Sequence, residues 1–98
     1  RQEQYNLYTD LIGEEMSELQ DAIDTNDKVE QLDALIDILV VTIGAIHSMG
    51  ADAEGAWNEV WQSNLAKIDT HTGKVIKRAD GKVLKPQGWT PPKLSPFL

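Results

Sequence analysis

Apolar residues recur at intervals of three and four along the first part of the chain, which is the spacing of one face of an amphipathic α-helix. The positions of this stripe are Tyr5, Tyr8, Ile12, Met16, Leu19 and Ile23. They predict a first helix over residues 5–23. "DTND" at residues 24–27 has the composition of a turn. Asp27 followed by Glu30 fits a capping box, so we expect a second helix to begin there and to run to about Ser48.

The second helix is apolar on nearly all sides between Leu35 and Ile46. This pattern is expected of a helix that is covered both by its own domain and by a neighbouring subunit. "HSMGAD" ends the second helix, and a third helix is predicted over residues 53–68. The apolar face of this third helix comprises Trp57, Val60, Trp61, Leu65 and Ile68. We expect its two tryptophans to belong to the core and not to a base-stacking platform.

After Asp69 apolar and basic residues alternate around "ADG", which predicts a short hairpin, and the chain then becomes proline-rich. The sequence therefore divides into a helical core, residues 1–69, and a basic hairpin with an extended tail, residues 70–98. We predict an all-α fold, an antiparallel helical bundle completed by oligomerisation, because a chain of 98 residues buries only a modest core.

The net charge of −7 hides a strong asymmetry. Residues 1–66 contain fourteen acidic and two basic residues, a net charge of −12, whereas residues 67–98 contain two acidic and seven basic residues, a net charge of +5. An acidic body argues against nucleic acid as a partner and suits a metal ion with a polyphosphate. The chain has no cysteine, no run of about 18 apolar residues and no signal segment, so we expect a cytoplasmic protein without a membrane partner.

The stretch "ALIDILVV" at residues 34–41 places one carboxylate, that of Asp37, inside an apolar run. Asp37 lies too far along the second helix to interact with the N-terminal dipole, and burial of its charge without a partner is costly. A basic residue, a proton or a metal cation would satisfy it. The only basic residues of the first two helices are Arg1 and Lys28, and neither is a turn away. A cation is therefore favoured.

"GEEMSEL" at residues 13–19 places further carboxylates on the first helix. Glu14 and Glu18 lie about one turn apart, as do Glu15 and Glu18, so the three head groups can converge. The acidic residues that share one face of the second helix are Glu30, Asp33 and Asp37. A hydrated acidic surface is the alternative interpretation. We expect the two acidic groups to face each other across an antiparallel helix pair and to hold a cation between them.

Carboxylate oxygens without cysteine or clustered histidine favour Mg²⁺, with Mn²⁺ as the second possibility. His47 and His71 are too few for a zinc site. There is no glycine-rich phosphate loop and no arrangement of serine, histidine and aspartate suited to nucleophilic catalysis. The candidate chemistry is therefore that of Mg²⁺ held by helical carboxylates.

"GEEMSEL" followed by "EQLDALIDILVVTIGA" resembles the MazG-like superfamily of all-α NTP pyrophosphohydrolases, whose mark is E-x-x-E on one helix and an acidic pair on the next. "WNEVWQSNLAKID" and "GKVIKRADGKVLKPQGWTPPKL" resemble the third helix and the basic ending of phage and bacterial members. The resemblance implies a MazG-like bundle and Mg²⁺-dependent conversion of an NTP or dNTP to its monophosphate and pyrophosphate, in a house-cleaning or nucleotide-pool role.

The resemblance also implies roles for individual residues. The metal ligands it implies are Glu15, Glu18, Asp33 and Asp37, with Glu30 as the alternative to Asp33. Asp33 is preferred because the helix cap already accounts for Glu30. Glu14 is implied as a further ligand or as the residue that orients the attacking water, which makes Glu14, Glu15 and Glu18 the candidate catalytic residues. The candidate substrate-binding residues are Asn64, Lys67, Lys74 and Arg78, with Lys77 and Lys82 as further positive charge.

Family members commonly carry another helix before the E-x-x-E helix, whereas few residues precede it here. We therefore expect the bundle to be completed by a partner chain, in a homodimer or a dimer of dimers, or by residues outside this sequence. Three other interpretations remain open. The first is a non-catalytic helical oligomerisation module, and the second is a hydrolase of the same fold with another substrate, such as phosphoribosyl-ATP. The third and weakest is a nucleic-acid-binding module, since only the tail is basic.

Overall fold

The computed structural model describes all 98 residues, Arg1–Leu98. It contains three α-helices, α1 (Gln2–Asp24), α2 (Lys28–Ser48) and α3 (Ala53–Leu65), and a short 3₁₀ helix at Ser95–Phe97, without any β-strand. The predicted all-α class is thus confirmed. The residues group into two compact units, one of residues 1–53 together with Leu98 and one of residues 54–97. The division of the sequence at residue 69 stays a prediction.

The connection between α1 and α2 is short and well capped. Asn26 adopts a left-handed conformation, φ 56°, which asparagine tolerates better than most residues. The Asp27 side chain accepts a hydrogen bond from the Glu30 amide at 3.1 Å, as predicted for the start of α2. The Asp27 amide donates to the carbonyl of Ala22 and not to the Glu30 side chain. Only half of the expected capping box is therefore formed. The carbonyl of Ala22, in the C-terminal turn of α1, accepts the hydrogen bond that the Glu30 side chain was expected to accept.

Contacts along the pair show that α1 and α2 run antiparallel. The Tyr8 ring lies against Gly44 near one end. The side-chain Nε2 of Gln31 donates to the carbonyl of Ala22 at 3.3 Å near the other end. Residue numbers therefore rise along α1 while those of the facing residues of α2 fall. This register determines which side chains of the two helices can meet.

The core of this helix pair is made of small residues. Ala22, Ala34 and Ala45 are the buried apolar residues of the chain, each less than a tenth exposed. Large side chains of α2 remain between 48% and 62% exposed; this set, the apolar face of α2, comprises Leu32, Leu35, Ile36, Leu39, Val40 and Ile43. α1 thus covers only part of α2, although α2 is apolar on nearly all sides. Contiguous exposed apolar surface of this kind marks an interaction site.

The second unit consists of α3 and two turns followed by the proline-rich tail, residues 86–96. α3 ends three residues earlier than predicted, because the Lys67 and Ile68 amides form tighter hydrogen bonds to residues three positions before them. Ile68 then pairs with Val75 in an antiparallel bridge across a turn that sequence analysis did not predict. The predicted hairpin around "ADG" is present as an isolated bridge between Lys77 and Val83.

Trp57 and Trp61 are exposed on α3, by 67% and 52%, and their parallel rings stack with centroids 6.4 Å apart. The expectation that they belong to the core is wrong for the chain as described here, because no apolar element of the chain covers this face of α3. Their spacing of four residues places them one turn apart on the helix, so the two rings pack against each other.

No single helix is both long enough and apolar enough to cross a bilayer; only α2 and α3 taken together satisfy the requirement, by length and composition alone.

Candidate metal and phosphate site

Glu15 is the half-buried carboxylate on the α2 side of α1. Its Oε2 atom is buried and has no hydrogen-bond partner. This burial raises the pKa of Glu15 above its usual 4.5, and a hydrogen bond with Glu18 and the negative charges of Glu18, Asp37 and Asp33 raise this pKa further. Desolvation and like charge both disfavour an ionised carboxyl. The ionised form of Glu15 is thus unfavourable, and a bound cation would offset the electrostatic cost of its charge.

The antiparallel register explains why these four side chains interact. Glu15 and Asp37 are opposite each other in the pair, and both are half-buried. Glu18 lies one turn after Glu15 in α1, and Asp33 lies one turn before Asp37 in α2. Because the helices are antiparallel, both lie on the same side of the pair formed by Glu15 and Asp37, and both are exposed. We call Glu15, Glu18, Asp33 and Asp37 the carboxylate cluster. All four are predicted metal ligands, and the structure places the other three within electrostatic range of Glu15.

The donors of the carboxylate cluster fit a hard divalent cation. They are oxygens only, one of them is buried without a partner, and none forms an ion pair, since the salt bridge of this chain joins Arg78 to Asp80. As the side chains stand, no three acidic or histidine residues lie close enough to hold one ion together. Glu18 and Asp33 are exposed, so their side chains have room to change rotamer. The assignment of metal ligands stays a prediction.

Two further acidic residues of the predicted site lie differently. Glu14 is exposed, and it is not among the groups that raise the pKa of Glu15. Its role in orienting water stays a prediction. Glu30 is also absent from those groups, whereas Asp33 is among them. The charge of Asp33, unlike that of Glu30, thus acts on Glu15. The choice of Asp33 over Glu30 as the partner of Asp37 stays a prediction.

An open acidic cleft of about 380 Å³ adjoins the cluster and shares Glu18 and Asp33 with it. Its other acidic residues are Asp21, Asp27 and Glu30. Sequence reasoning did not select Asp21. Its spacing of three residues after Glu18 was the available signal, because residues three apart share a helix face.

Gly44 permits a close approach between the two helices. A Cβ atom at this position would lie 2.4–2.7 Å from ring atoms of Tyr8. The group that approaches α2 is therefore an aromatic side chain and not a second backbone. Packing of the Tyr8 ring at Gly44 brings α1 and α2 together two turns away from Glu15 and Asp37.

In the second unit, predicted substrate-binding residues are held by neighbouring side chains. Lys67 Nζ donates to Asn64 Oδ1 at 3.2 Å. The same ammonium lies 5.3 Å from the centroid of the Trp89 indole, and Lys85 Nζ lies 4.9 Å from it. The Trp89 Nε1–H donates to the carbonyl of Ser63 at 2.7 Å. Lys85 and Trp89 were not predicted as site residues; both belong to the "KPQGW" stretch of the family resemblance.

Arg78 is bound to a carboxylate of its own turn. Its Nε donates to Asp80 Oδ1 at 3.0 Å and its Nη2 to Asp80 Oδ2 at 2.5 Å. These hydrogen bonds lower the pKa of Asp80 and raise that of Arg78. Lys74 is exposed, and its backbone closes the turn that begins at Asp69. Substrate binding by Arg78 and Lys74 stays a prediction, and for Arg78 it requires exchange of the Asp80 partner.

An open groove of about 530 Å³ lies between the tail of the second unit and α3. Its walls include Glu59, Ser63, Pro86, Trp89 and Lys93. The Lys93 amide donates to Glu59 Oε2 at 2.9 Å, one turn of α3 before the Ser63 contact. Two hydrogen bonds on the same side of α3 thus fasten the tail to this helix.

An antiparallel pair of helices with acidic residues facing each other across the pair defines an all-α protein with a carboxylate site. Residues 1–64 match the family described as phosphoribosyl-ATP pyrophosphohydrolase, so the chain belongs to this family. The match covers α1, α2 and most of α3. A search of the curated proteins found no match.

The family is an all-α, NTP pyrophosphatase-like family related to MazG. Its members are pyrophosphohydrolases, which are hydrolases that act on phosphoric anhydride bonds. The sequence resemblance is confirmed at this level, whereas the MazG-like type itself stays a prediction.

Proposed function

We propose that this protein is a Mg²⁺-dependent nucleoside triphosphate pyrophosphohydrolase that converts an NTP or dNTP to its monophosphate and pyrophosphate. The observation that carries the proposal is the carboxylate cluster, in which a buried oxygen of Glu15 has no partner and faces further negative charge. A bound cation would offset this electrostatic cost. The family supports the type of reaction, hydrolysis of a phosphoric anhydride.

Glu15, Glu18, Asp33 and Asp37 would hold the ion. Bound there, Mg²⁺ would offset the charge of the phosphate oxygens and lower the pKa of a water molecule. A carboxylate beside the ion, for which Glu14 is the candidate, would orient that water and accept its proton. The water oxygen bonds to the α-phosphorus, and the bond from this phosphorus to the bridging oxygen breaks. Pyrophosphate leaves with the bridging oxygen.

A second candidate substrate is phosphoribosyl-ATP, which the family description favours. Its hydrolysis would release pyrophosphate from the same type of anhydride, so the carboxylate cluster would have the same task. The two candidates differ in the group attached to the nucleotide and not in the bond that is cut.

The test is a panel of NTPs, dNTPs and phosphoribosyl-ATP incubated with Mg²⁺ and scored separately for pyrophosphate and orthophosphate. We expect pyrophosphate with at least one substrate and no product in EDTA. Release of orthophosphate alone would show that a different bond is cut. Absence of any product, together with absence of stabilisation by nucleotide and Mg²⁺, would favour the non-catalytic helical module.

We also propose that the protein is a homodimer or a dimer of dimers in which the apolar face of α2 is covered by another copy. The support is the half-exposed state of six large apolar side chains on one helix, beside a core of three alanines. Interfaces of obligate homodimers resemble a domain core cut in half. Light scattering after gel filtration measures the oligomeric state.

A further inference from the structure

An open pocket of about 410 Å³ lies between α1 and α2, at the end of the helix pair remote from the acidic cleft. All of its lining residues belong to the first unit. We call it the Tyr8 pocket; the side chains that line it include Gln4 and Tyr8 of α1 and Val40, Ile43 and His47 of α2. The half-buried Tyr8 ring lies against Gly44. One wall of the pocket is therefore an aromatic ring whose position the helix pair determines.

The Tyr8 pocket and the carboxylate cluster lie on the same helix faces. Tyr8 precedes Glu15 by seven residues, and Gly44 follows Asp37 by seven. Seven residues make nearly two turns of an α-helix, so each pocket residue shares a face with the carboxylate of its own helix, about 10 Å away. A nucleotide whose phosphates lie at the cluster can therefore extend along the helix pair to the pocket.

The lining of the Tyr8 pocket differs in chemistry from that of the acidic cleft. It contains no aspartate, glutamate, lysine or arginine. The exposed side chains of Gln4 and His47 carry both donors and acceptors, and neither forms a hydrogen bond with another group of the chain. Apolar walls with a few polar groups are typical of sites for small organic ligands. Nucleobases stack on aromatic side chains and form hydrogen bonds at their edges. The lining thus suits a planar, uncharged heterocycle and not a phosphate.

We propose that the Tyr8 pocket is the subsite for the base of the substrate nucleotide. Tyr8 stacks on the base, and Gln4 and His47 form hydrogen bonds with its edge and so determine base preference. The inference rests on the proposed function, which places the phosphates of the nucleotide at the carboxylate cluster. The ribose spans the distance between the two. An NTP and phosphoribosyl-ATP both carry a base attached in this way.

The experiment titrates ¹⁵N-labelled protein with adenosine, guanosine, cytidine and thymidine while backbone amide signals are followed by NMR. Nucleosides carry no phosphate and no divalent cation is added, so the carboxylate cluster takes no part. The Gly44 amide is the reporter, and the Gly13 amide is the internal reference, because nothing lies within 4 Å of its Cβ position. We expect a saturable shift of the Gly44 signal with at least one nucleoside and none with ribose, which has no base.

The variants are Gln4→Ala and His47→Ala, with Gln20→Ala as the matched control. All three side chains are exposed, so the fold tolerates their loss, and Gln20 lies on α1 outside the pocket. Loss of one hydrogen bond should weaken nucleoside binding about three- to tenfold in each of the first two variants. The control should change it by less than about twofold. Tyr8→Leu, which keeps an apolar side chain at Gly44 but removes the stacking ring, should weaken binding of every nucleoside.

Equal weakening in Gln20→Ala and the pocket variants, or no saturable Gly44 shift with any nucleoside, would overturn the subsite. Val40 and Ile43 also belong to the apolar face of α2, so a Gly44 signal that responds to protein concentration and not to nucleoside would show that a second copy fills the pocket instead. The proposed function fails separately, if the substrate panel yields no pyrophosphate. Protein that binds nucleoside without turnover keeps the subsite and loses the enzyme assignment; active protein without a Gly44 response does the reverse.

Discussion

The two units of the chain treat their charged residues in opposite ways. In residues 1–53 the carboxylate cluster gathers like charges, leaves a buried oxygen of Glu15 without a partner and raises the pKa of this residue. In residues 54–97 charged groups have partners, as Arg78 has Asp80 and Lys67 has Asn64 and the Trp89 ring. The first arrangement stores unfavourable electrostatic energy that a ligand can release. In the second arrangement, contacts with neighbouring side chains hold the charged groups in place.

The largest effect is expected from the loss of one carboxylate of the cluster. Glu18→Gln and Asp37→Asn remove a ligand charge while keeping size, so turnover should fall by roughly 10²–10⁴-fold, the usual range for a group that acts in the transition state. Steady-state pyrophosphate release measures the loss, and circular dichroism should show the same helix content. Asp10→Asn, an exposed acidic residue of α1 outside the cluster, is the control. Full activity in either cluster variant would reject the assignment.

The next effect concerns assembly. Leu39→Lys places a charge in the middle of the apolar face of α2, and a buried unpaired charge at an interface costs at least about 2 kcal/mol, as at binding hot spots. The dissociation constant of the oligomer should rise by more than tenfold, measured by sedimentation or light scattering over a dilution series. Val29→Lys, at the outer end of α2 and 76% exposed, should leave it nearly unchanged. An unaltered oligomer in Leu39→Lys would place the interface elsewhere.

A smaller effect on stability is expected at the contact between α1 and α2. Gly44→Ala inserts a methyl group into the Tyr8 ring, and overpacking of this kind costs about 1–3 kcal/mol. Gly13→Ala is the matched control, because nothing lies within 4 Å of its Cβ position. It should stabilise α1 by up to about 1 kcal/mol through helix propensity. Urea denaturation measures both, and equal free energies of unfolding would contradict the packing described.

The smallest effect is a pH dependence due to Glu15. Its pKa is raised in the folded state above the unfolded value of 4.5, so the folded state holds more protons than the unfolded state between these two pKa values. Its contribution to the free energy of unfolding therefore falls as pH rises through this window. The difference between wild-type protein and Glu15→Gln, from thermal unfolding in EDTA at a series of pH values, isolates this contribution. Mg²⁺ should reduce the fall, since it favours the ionised carboxylate; no effect of Mg²⁺ would contradict metal binding here.

The helix pair could be predicted from the sequence because its signals are local. The apolar stripe of α1, the turn residues and the cap at Asp27 each act within a few residues. The approach of Glu15 to Asp37 then follows from the antiparallel pair, since a short connection leaves few other registers. The exposed position of Glu14 depends on the rotation of α1 about its axis, which the spacing of carboxylates alone leaves open.

The second unit was less predictable, because its contacts join residues distant in sequence. The hydrogen bond from Trp89 to Ser63 spans 26 residues, and the Lys85 contact with the ring depends on it. The early end of α3 and the exposure of Trp57 and Trp61 likewise depend on what packs there. The unbonded Oε2 of Glu15 is also a tertiary feature, although the apolar run around Asp37 indicated where to look.

The short turn at residues 25–27 has a consequence for how this sequence can change. One residue inserted into α2 ahead of Asp33 would rotate everything after it by about 100° and advance it by about 1.5 Å, turning two acidic side chains away from Glu15. Insertions within α1 after Glu18, or within α2 before Asp37, would therefore disrupt the register between the two halves of the site.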